Sequence, residues 1–272
     1  MSYIEMVHPI EHLRYVARAS GVDAASLVRE AATALGSLRA DHANLLIACR
    51  RIIERHPEIG PLWWMSARLL TSDDPTSLAW EIADEIDVDP TASRIAAALD
   101  DGATVLTVGW PEVVGQALMR RGDVSVLCCD SRHEASGFLQ RLERFDVECE
   151  PVPSESLARA AHRADLVIVE AAAASDQRVI ARVGSHVVAA VAATVDTPVW
   201  LATPIGTRLP IGYLDSIGEQ VIDSTSWNGD YDDLPIGLVT HVATQDGVTD
   251  DVAGALAPTC PFAPELLRFS PF

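Results

Sequence analysis

Three short stretches carry the residues that could do chemistry. Each stands where a β-branched run gives way to a helical one, the place where α/β proteins usually put their chemistry. In LTVGWPEVV (106–114), Gly109 permits close backbone approach, Trp110 follows it, and Pro111 suits a first helical turn. In DSRHEASG (130–137), Asp130 can face a ligand or cap the next helix, and Arg132 offers a guanidinium suited to phosphate or carboxylate. In DLVIVEAAAASDQRVIARVGSHVVAAVAA (165–193), a strand enters through Glu170 and four alanines with a serine follow as its exit. Gly184 and Ser185 then stand at the mouth of a helix, with Ser185 as the expected N-cap and Arg182 just before it. The free N–H groups of that mouth could hold an anion. The same residues also fit an ordinary capped helix beside a solvated arginine.

Other chemistries find no motif. The sequence contains no GxGxxG fingerprint, phosphate loop, HExxH or GxSxG. Its five cysteines (Cys49, Cys128, Cys129, Cys149 and Cys260) form neither a CxxC pair nor a zinc spacing, and they read as reduced core thiols. No cofactor and no metal are expected.

The elements that must position these stretches fall into two parts. Residues 1–98 read as helices: ASLVREAATALGSLRADHANLLIACRRIIERH has apolar residues at three-to-four spacing, and SLAWEIADEI and PTASRIAAALDDG follow. Trp63 and Trp64 in PLWWMSARLL could form a ligand platform, but core packing is the simpler expectation. From residue 99 onward, strands alternate with helices: ATVLTV, DVSVLCC, VECEPV, DLVIVEA, PVWLAT, EQVID and IGLVTHV are the expected strands. That alternation predicts an α/β fold, a helical N-terminal domain (1–98) followed by a Rossmann-like, mostly parallel sheet domain (99–272). The tail APTCPFAPELLRFSPF is apolar for a chain end, and its Phe262, Phe269 and Phe272 should pack on a neighbouring copy or on their own domain.

Charge narrows the partners. Thirty-nine acids face twenty bases, a net charge of −19, and every base other than histidine is arginine. An acidic surface with arginine in place of lysine resembles the proteins of salt-loving archaea, where salt screens the self-repulsion. So acidic a chain should not bind nucleic acid directly, because phosphate contacts need basic patches. No apolar run has the length of a bilayer span and the N-terminus has no signal-peptide pattern, so a cytoplasmic protein without membrane contact is expected.

Four segments in register over residues 95–272 resemble one family. They are DDGATVLTVGWPEVVGQAL, VLCCDSRHEASGFLQRLERFDVECEPVP, ADLVIVEAAAASDQRVIARVGSHVVAAVAATVDTPVWLAT and LPIGLVTHVATQDGV. The family joins the α, β and δ regulatory subunits of eukaryotic translation initiation factor 2B with the archaeal ribose-1,5-bisphosphate and methylthioribose-1-phosphate isomerases. The isomerases use an aspartate within a Gly-Ala-Asp motif and a cysteine after the first strand. Here that motif reads Glu170, Ala171, Ala172, and the cysteine position falls at Gly109. The family's Asn-Lys pair reads Ala181–Arg182, and its N-terminal Arg-Gly-Ala segment is not recognisable.

Aldose–ketose isomerisation needs an acid and a base at the reacting carbons, and alanine and glycine supply neither. Glu170 could stand in only if its side chain reaches the crevice; Glu112, at a helix start, reads as a dipole-favoured surface acid. The resemblance therefore implies a non-catalytic regulatory or binding protein linked to translation initiation. It further implies a homo-oligomer, contact with initiation factor 2, and a pocket for a nucleotide or sugar phosphate. Gly109, Trp110, Asp130, Arg132, Glu170, Arg182, Gly184 and Ser185 are the expected ligand-binding residues, with no catalytic residue among them. The alternative is a divergent sugar-phosphate isomerase working through Glu170.

Overall fold

A computed structural model describes residues 24–37, 42–130, 132–222 and 225–267. The N-terminal segment and the tail aromatics Phe269 and Phe272 lie outside these residues. The described residues open with helices α1 (Ala24–Ser37), α2 (His42–Arg55), α3 (Gly60–Leu70), α4 (Pro75–Asp87) and α5 (Thr91–Ala98). The spacing of buried residues explains α1, which turns Leu27, Val28, Ala31, Ala32 and Leu35 to one side. Asp74 caps α4 by accepting the Ser77 N–H at 3.1 Å.

The α/β part then runs β1 (Thr104–Val108), α6 (Glu112–Arg121), β2 (Ser125–Cys129), α7 (Ala135–Glu143), β3 (Glu148–Val152), α8 (Leu157–Arg163) and β4 (Leu166–Ala174). It continues with β5 (Val179–Arg182), α9 (Ser185–Ala193), β6 (Val199–Ala202), α10 (Ile211–Val221), β7 (Tyr231–Leu234), β8 (His241–Thr244), β9 (Gly247–Thr249) and α11 (Val252–Ala255). The sheet order is β3-β2-β1-β4-β6-β8-β9. All neighbours in it are parallel except the β8–β9 pair. Strand order reverses between β1 and β4, so the topological switch point lies there. Beyond Glu170, β4 leaves the parallel sheet and pairs antiparallel with β5, which pairs with β7.

Helices α5, α6 and α7 cover one face of the sheet around Ile95, Val114, Leu118 and Phe138; α8 and α9 cover the other around Ala161, Val188 and Ala192. A third core joins α1–α4 to α10, residues 263–267 and the far part of β4 and β5. Trp63 and Trp64 sit inside it, 0% and 2% exposed, and donate to the Pro57 carbonyl at 3.0 Å and the Thr259 carbonyl at 3.3 Å. Phe262 lies against Tyr213 of the same chain, ring centroids 5.1 Å apart. Among the described residues no helix is long and apolar enough to cross a membrane.

Four local expectations need correction. EQVID is not a strand: Glu219 to Val221 finish α10, whose buried Tyr213, Leu214, Ile217 and Gly218 recur at helical spacing after Pro210. In IGLVTHV, Ile236–Leu238 form a short 3-10 turn, and the strand starts only at His241. The strand expected over DLVIVEA does not end at Ala171, and the alanines at 172–174 belong to it as well. They extend β4 through a bulge at Ala172, because their small methyls let α3 approach the strand backbone. Finally, Ser185 is the first residue of α9 rather than its cap. Gly184 occupies the cap position at φ 96°, a conformation suited to glycine.

Candidate functional site

The carboxyl end of β1 and the end of the parallel part of β4 open into a cleft of about 650 Å³, bounded on the far side by α1, the start of α3 and the α4–α5 connection. Its wall at the switch point is made by Val108, Val169, Glu170, Ala171 and Ala172, and its rim by Trp110, Glu112 and Gln116 of α6 and the turn before it. The volume falls within the range of small-molecule sites.

Glu170 is the centre of this wall. β4 carries it paired with Ala202 of β6, and its Oε2 accepts the backbone N–H groups of Val113 at 2.8 Å and Val114 at 3.1 Å. The carboxylate thus sits on the first turn of α6, where the helix dipole favours negative charge. Burial pushes its pKa up to about 7 despite these donors, and the nearby Glu112 charge pushes the same way. Glu112 behaves oppositely. Burial would raise it, but Arg141 at 2.8 Å, the Trp110 indole N–H at 3.1 Å and Gln116 overcome that and hold it below the usual carboxylate range. It is a paired, half-buried acid rather than a simple surface one.

Of the eight residues singled out in the sequence, Trp110, Glu170, Arg182 and Ser185 line the cleft. Arg182 is bound to Glu134 of the segment leading into α7 and lies 5.3 Å from the centre of the Tyr231 ring. Ser185 is buried at the start of α9. The other four stand behind or beside the wall. Gly109 makes the turn after β1 at φ 63°, its N–H bound to the Cys129 carbonyl at 3.0 Å. Asp130 accepts the Ala135 N–H at 3.2 Å, which favours its reading as a helix cap. Arg132 pairs with Asp230 at 3.2 Å and donates to the Gly229 carbonyl. The Gly184 N–H is taken by Asp232 Oδ2 at 2.8 Å.

Several lining groups had no sequence signal. Asp89 spans the cleft floor: Oδ2 accepts the Ile205 N–H at 2.9 Å, and Oδ1 accepts the Thr91 N–H at 2.9 Å and its hydroxyl at 2.6 Å. Arg29 and Asp87 form an ion pair at 2.5 Å, and Glu58 and Tyr231 complete the polar surface. All of them but Tyr231 come from the helical first part of the chain, and helical spacing says nothing of which of its residues fold over the sheet.

The balance is acidic. Glu58, Asp87, Asp89, Glu112 and Glu170 face the cleft against Arg29 and Arg182, and both arginines already hold a carboxylate. The cysteines take no part: burial pushes the Cys128 thiol up to about 12, which leaves little thiolate for nucleophilic work.

The model of the initiation factor 2 subunit family matches residues 81–250 of this chain. No curated protein matches the sequence significantly. Among solved structures, the translation initiation factor eIF-2B of Pyrococcus horikoshii OT3 superposes with a TM-score of 0.73 at 18% identity, covering 89% of this chain and 97% of its own. A tetrameric eIF2B-beta2-delta2 complex from Chaetomium thermophilum gives 0.72 at 17% identity, covering 90% and 92%. The delta subunit of eIF-2B from A. fulgidus gives 0.61 at 16% identity, covering 92% and 91%. These likenesses support the fold, a helical region followed by a mostly parallel α/β sheet. With its family match across more than half its length, the chain belongs to the initiation factor 2 subunit family.

Proposed function

We propose that this chain is a non-catalytic binding member of its family, acting in translation initiation through protein contacts rather than by turnover of a sugar phosphate. The observation that carries this reading is the engagement of Glu170, the carboxyl at the end of the parallel run of β4, with the backbone of α6. Two residues further along β4, where the resemblance puts the isomerases' aspartate, stands Ala172, and Gly109 stands where it puts their cysteine. The likeness to a beta2-delta2 tetramer supports self-association, and the family supports initiation factor 2 as the partner. A nucleotide or sugar phosphate would fit the cleft by volume, while its charge opposes a phosphate group.

The second reading, a divergent isomerase, is favoured by one observation. A carboxyl with its pKa near 7 can give and take a proton at neutral pH. One assay separates the two. The purified protein in molar salt is incubated with ribose 1,5-bisphosphate and with methylthioribose 1-phosphate, and ketose is measured. No turnover is expected, and turnover at the usual enzyme rates of about 1–1000 per second would establish the isomerase instead. Co-purification with initiation factor 2 from the same cells, in the same salt, tests the partner.

A further inference from the structure

We propose that Glu170 is a built-in occupant of the anion seat at the mouth of α6, an autoinhibitory contact that keeps phosphate-bearing ligands out of the cleft. The inference goes beyond the non-catalytic reading, because it concerns what the cleft excludes and would hold for an enzyme as well.

Helix α6 spans ten residues and points its N-terminus at the switch point of the sheet. Free N–H groups in such a place are ready donors for an anion. Here the donors of Val113 and Val114 converge on a single oxygen, Glu170 Oε2, at 2.8 and 3.1 Å. The carboxylate comes from a strand 57 residues further along the chain, and β4 fixes it there through its pairing with β6. A phosphate oxygen aimed at these donors would have to occupy the place of Oε2.

A second carboxylate stands before the other helix that starts near the switch point, bound to the residue that precedes the helix rather than to its first turn. Asp232, on β7, accepts the Gly184 N–H at 2.8 Å in front of α9. Glu170 and Asp232 reach their helices from different strands, so the two contacts are independent. Nor does the cleft offer a phosphate another home. Arg182 is held by Glu134 and Arg29 by Asp87, while Glu58, Asp89 and Glu112 add negative charge to the walls. An incoming dianion would therefore meet repulsion from those acids and find its best donors already taken. Once Glu170 is removed, the seat on α6 is vacant and one negative charge leaves the wall.

The test is titration calorimetry of the full chain with inorganic phosphate and with ribose 1,5-bisphosphate, at about pH 8 where Glu170 is ionised and at ionic strength held constant with chloride. Three variants accompany the wild type. Glu170→Ala empties the seat, Glu170→Asp draws the carboxylate back by one methylene, and Glu170→Gln keeps a neutral acceptor in place. The wild type should not bind below about 1 mM, and Glu170→Ala should bind at least about tenfold tighter, the change one charge-assisted hydrogen bond supplies. Glu170→Asp and Glu170→Gln should both fall between the two, the first because it draws the carboxylate back, the second because it removes the charge but keeps an acceptor in the seat. Where Glu170→Ala does not fold, Glu170→Asp and the wild-type amide signals of Val113 and Val114 decide. Tight phosphate binding by the wild type that shifts those two amides overturns the proposal. So does a folded Glu170→Ala, or a folded Glu170→Asp, with no gain in affinity. Ketose formation from either sugar phosphate bears on the non-catalytic reading alone and is read separately.

Discussion

At the residue scale Glu170 is pulled in two directions: the α6 amides welcome its charge, and its enclosure beside Glu112 opposes it. The second effect wins, since its pKa stands at about 7 against the ordinary 4.5. The protonated form is thus stabilised by folding. Its contribution is complete below about pH 4.5 and is lost as the pH rises through about 7, a span worth about 3 kcal/mol at most. Glu170→Gln keeps the acceptor and removes the titration. Chemical denaturation of both proteins from about pH 4.5 to about pH 8 should therefore show the glutamine variant gaining on the wild type as pH rises. A constant difference across that range would mean that Glu170 titrates like a solvated acid. The resemblance makes Glu170 visible, beside the place it gives the isomerases' aspartate, but not its use. The hydrogen bonds to Val113 and Val114 span 57 and 56 residues, and no local signal encodes where β4 brings a side chain relative to α6.

At the scale of elements, the run of alanines is explained by what packs on it. β4 continues past the switch point, bulges at Ala172 and brings its backbone against the first turn of α3. A Cβ built on Gly60 would stand 2.4 Å from the Ala172 carbonyl oxygen, a backbone atom that cannot rotate away. Gly60→Ala should therefore push α3 off the strand and cost about 1–3 kcal/mol, the usual range for overpacking. Gly237→Ala is the control, since a Cβ there meets nothing within 4 Å. Thermal unfolding in molar salt measures both, and equal midpoints would show that the α3–β4 contact yields easily. Much of this architecture is legible from the sequence. β1, β2, β3, β4, β6 and their helices announce themselves by β-branched runs between amphipathic stretches. The misread pieces are the ones where tertiary contacts decide. EQVID carries a strand-like Val-Ile pair but completes the face begun by Tyr213 and Leu214, while β5 and β7, which no expected strand covers, are four-residue strands held by pairing with β4 and with each other. The turn at Gly184 depends on a positive φ and on Asp232, 48 residues away, so the adjacent serine looks like the cap when read alone.

At the scale of the whole molecule, charge governs. The segment 1–98 holds 14 acids and 9 arginines, and the rest holds 25 and 11, so both parts repel themselves and each other. Pairs such as Arg178 with Asp233 at 2.6 Å and Asp215 at 3.2 Å, or Arg121 with Asp101 at 2.9 Å and Asp123 at 2.8 Å, use arginines to bind several acids at once. Twenty bases cannot neutralise 39 acids. The unpaired excess raises the free energy of the compact chain, and more so of two chains brought together, because association doubles the charge within one particle. Screening acts on both costs: the Debye length falls from about 8 Å at 0.15 M salt to about 3 Å at 1 M. Raising potassium chloride over that range should therefore raise the unfolding midpoint and shift the mass in light scattering upward from the 29.2 kDa monomer, with both effects levelling off near molar salt. The two readouts separate the causes. A midpoint that rises while the mass stays at 29.2 kDa leaves the screening argument intact and refutes self-association. A mass of two copies or more already at 0.15 M, with no response to salt, would mean that the contact between copies buries enough neutral surface to outweigh the repulsion unaided.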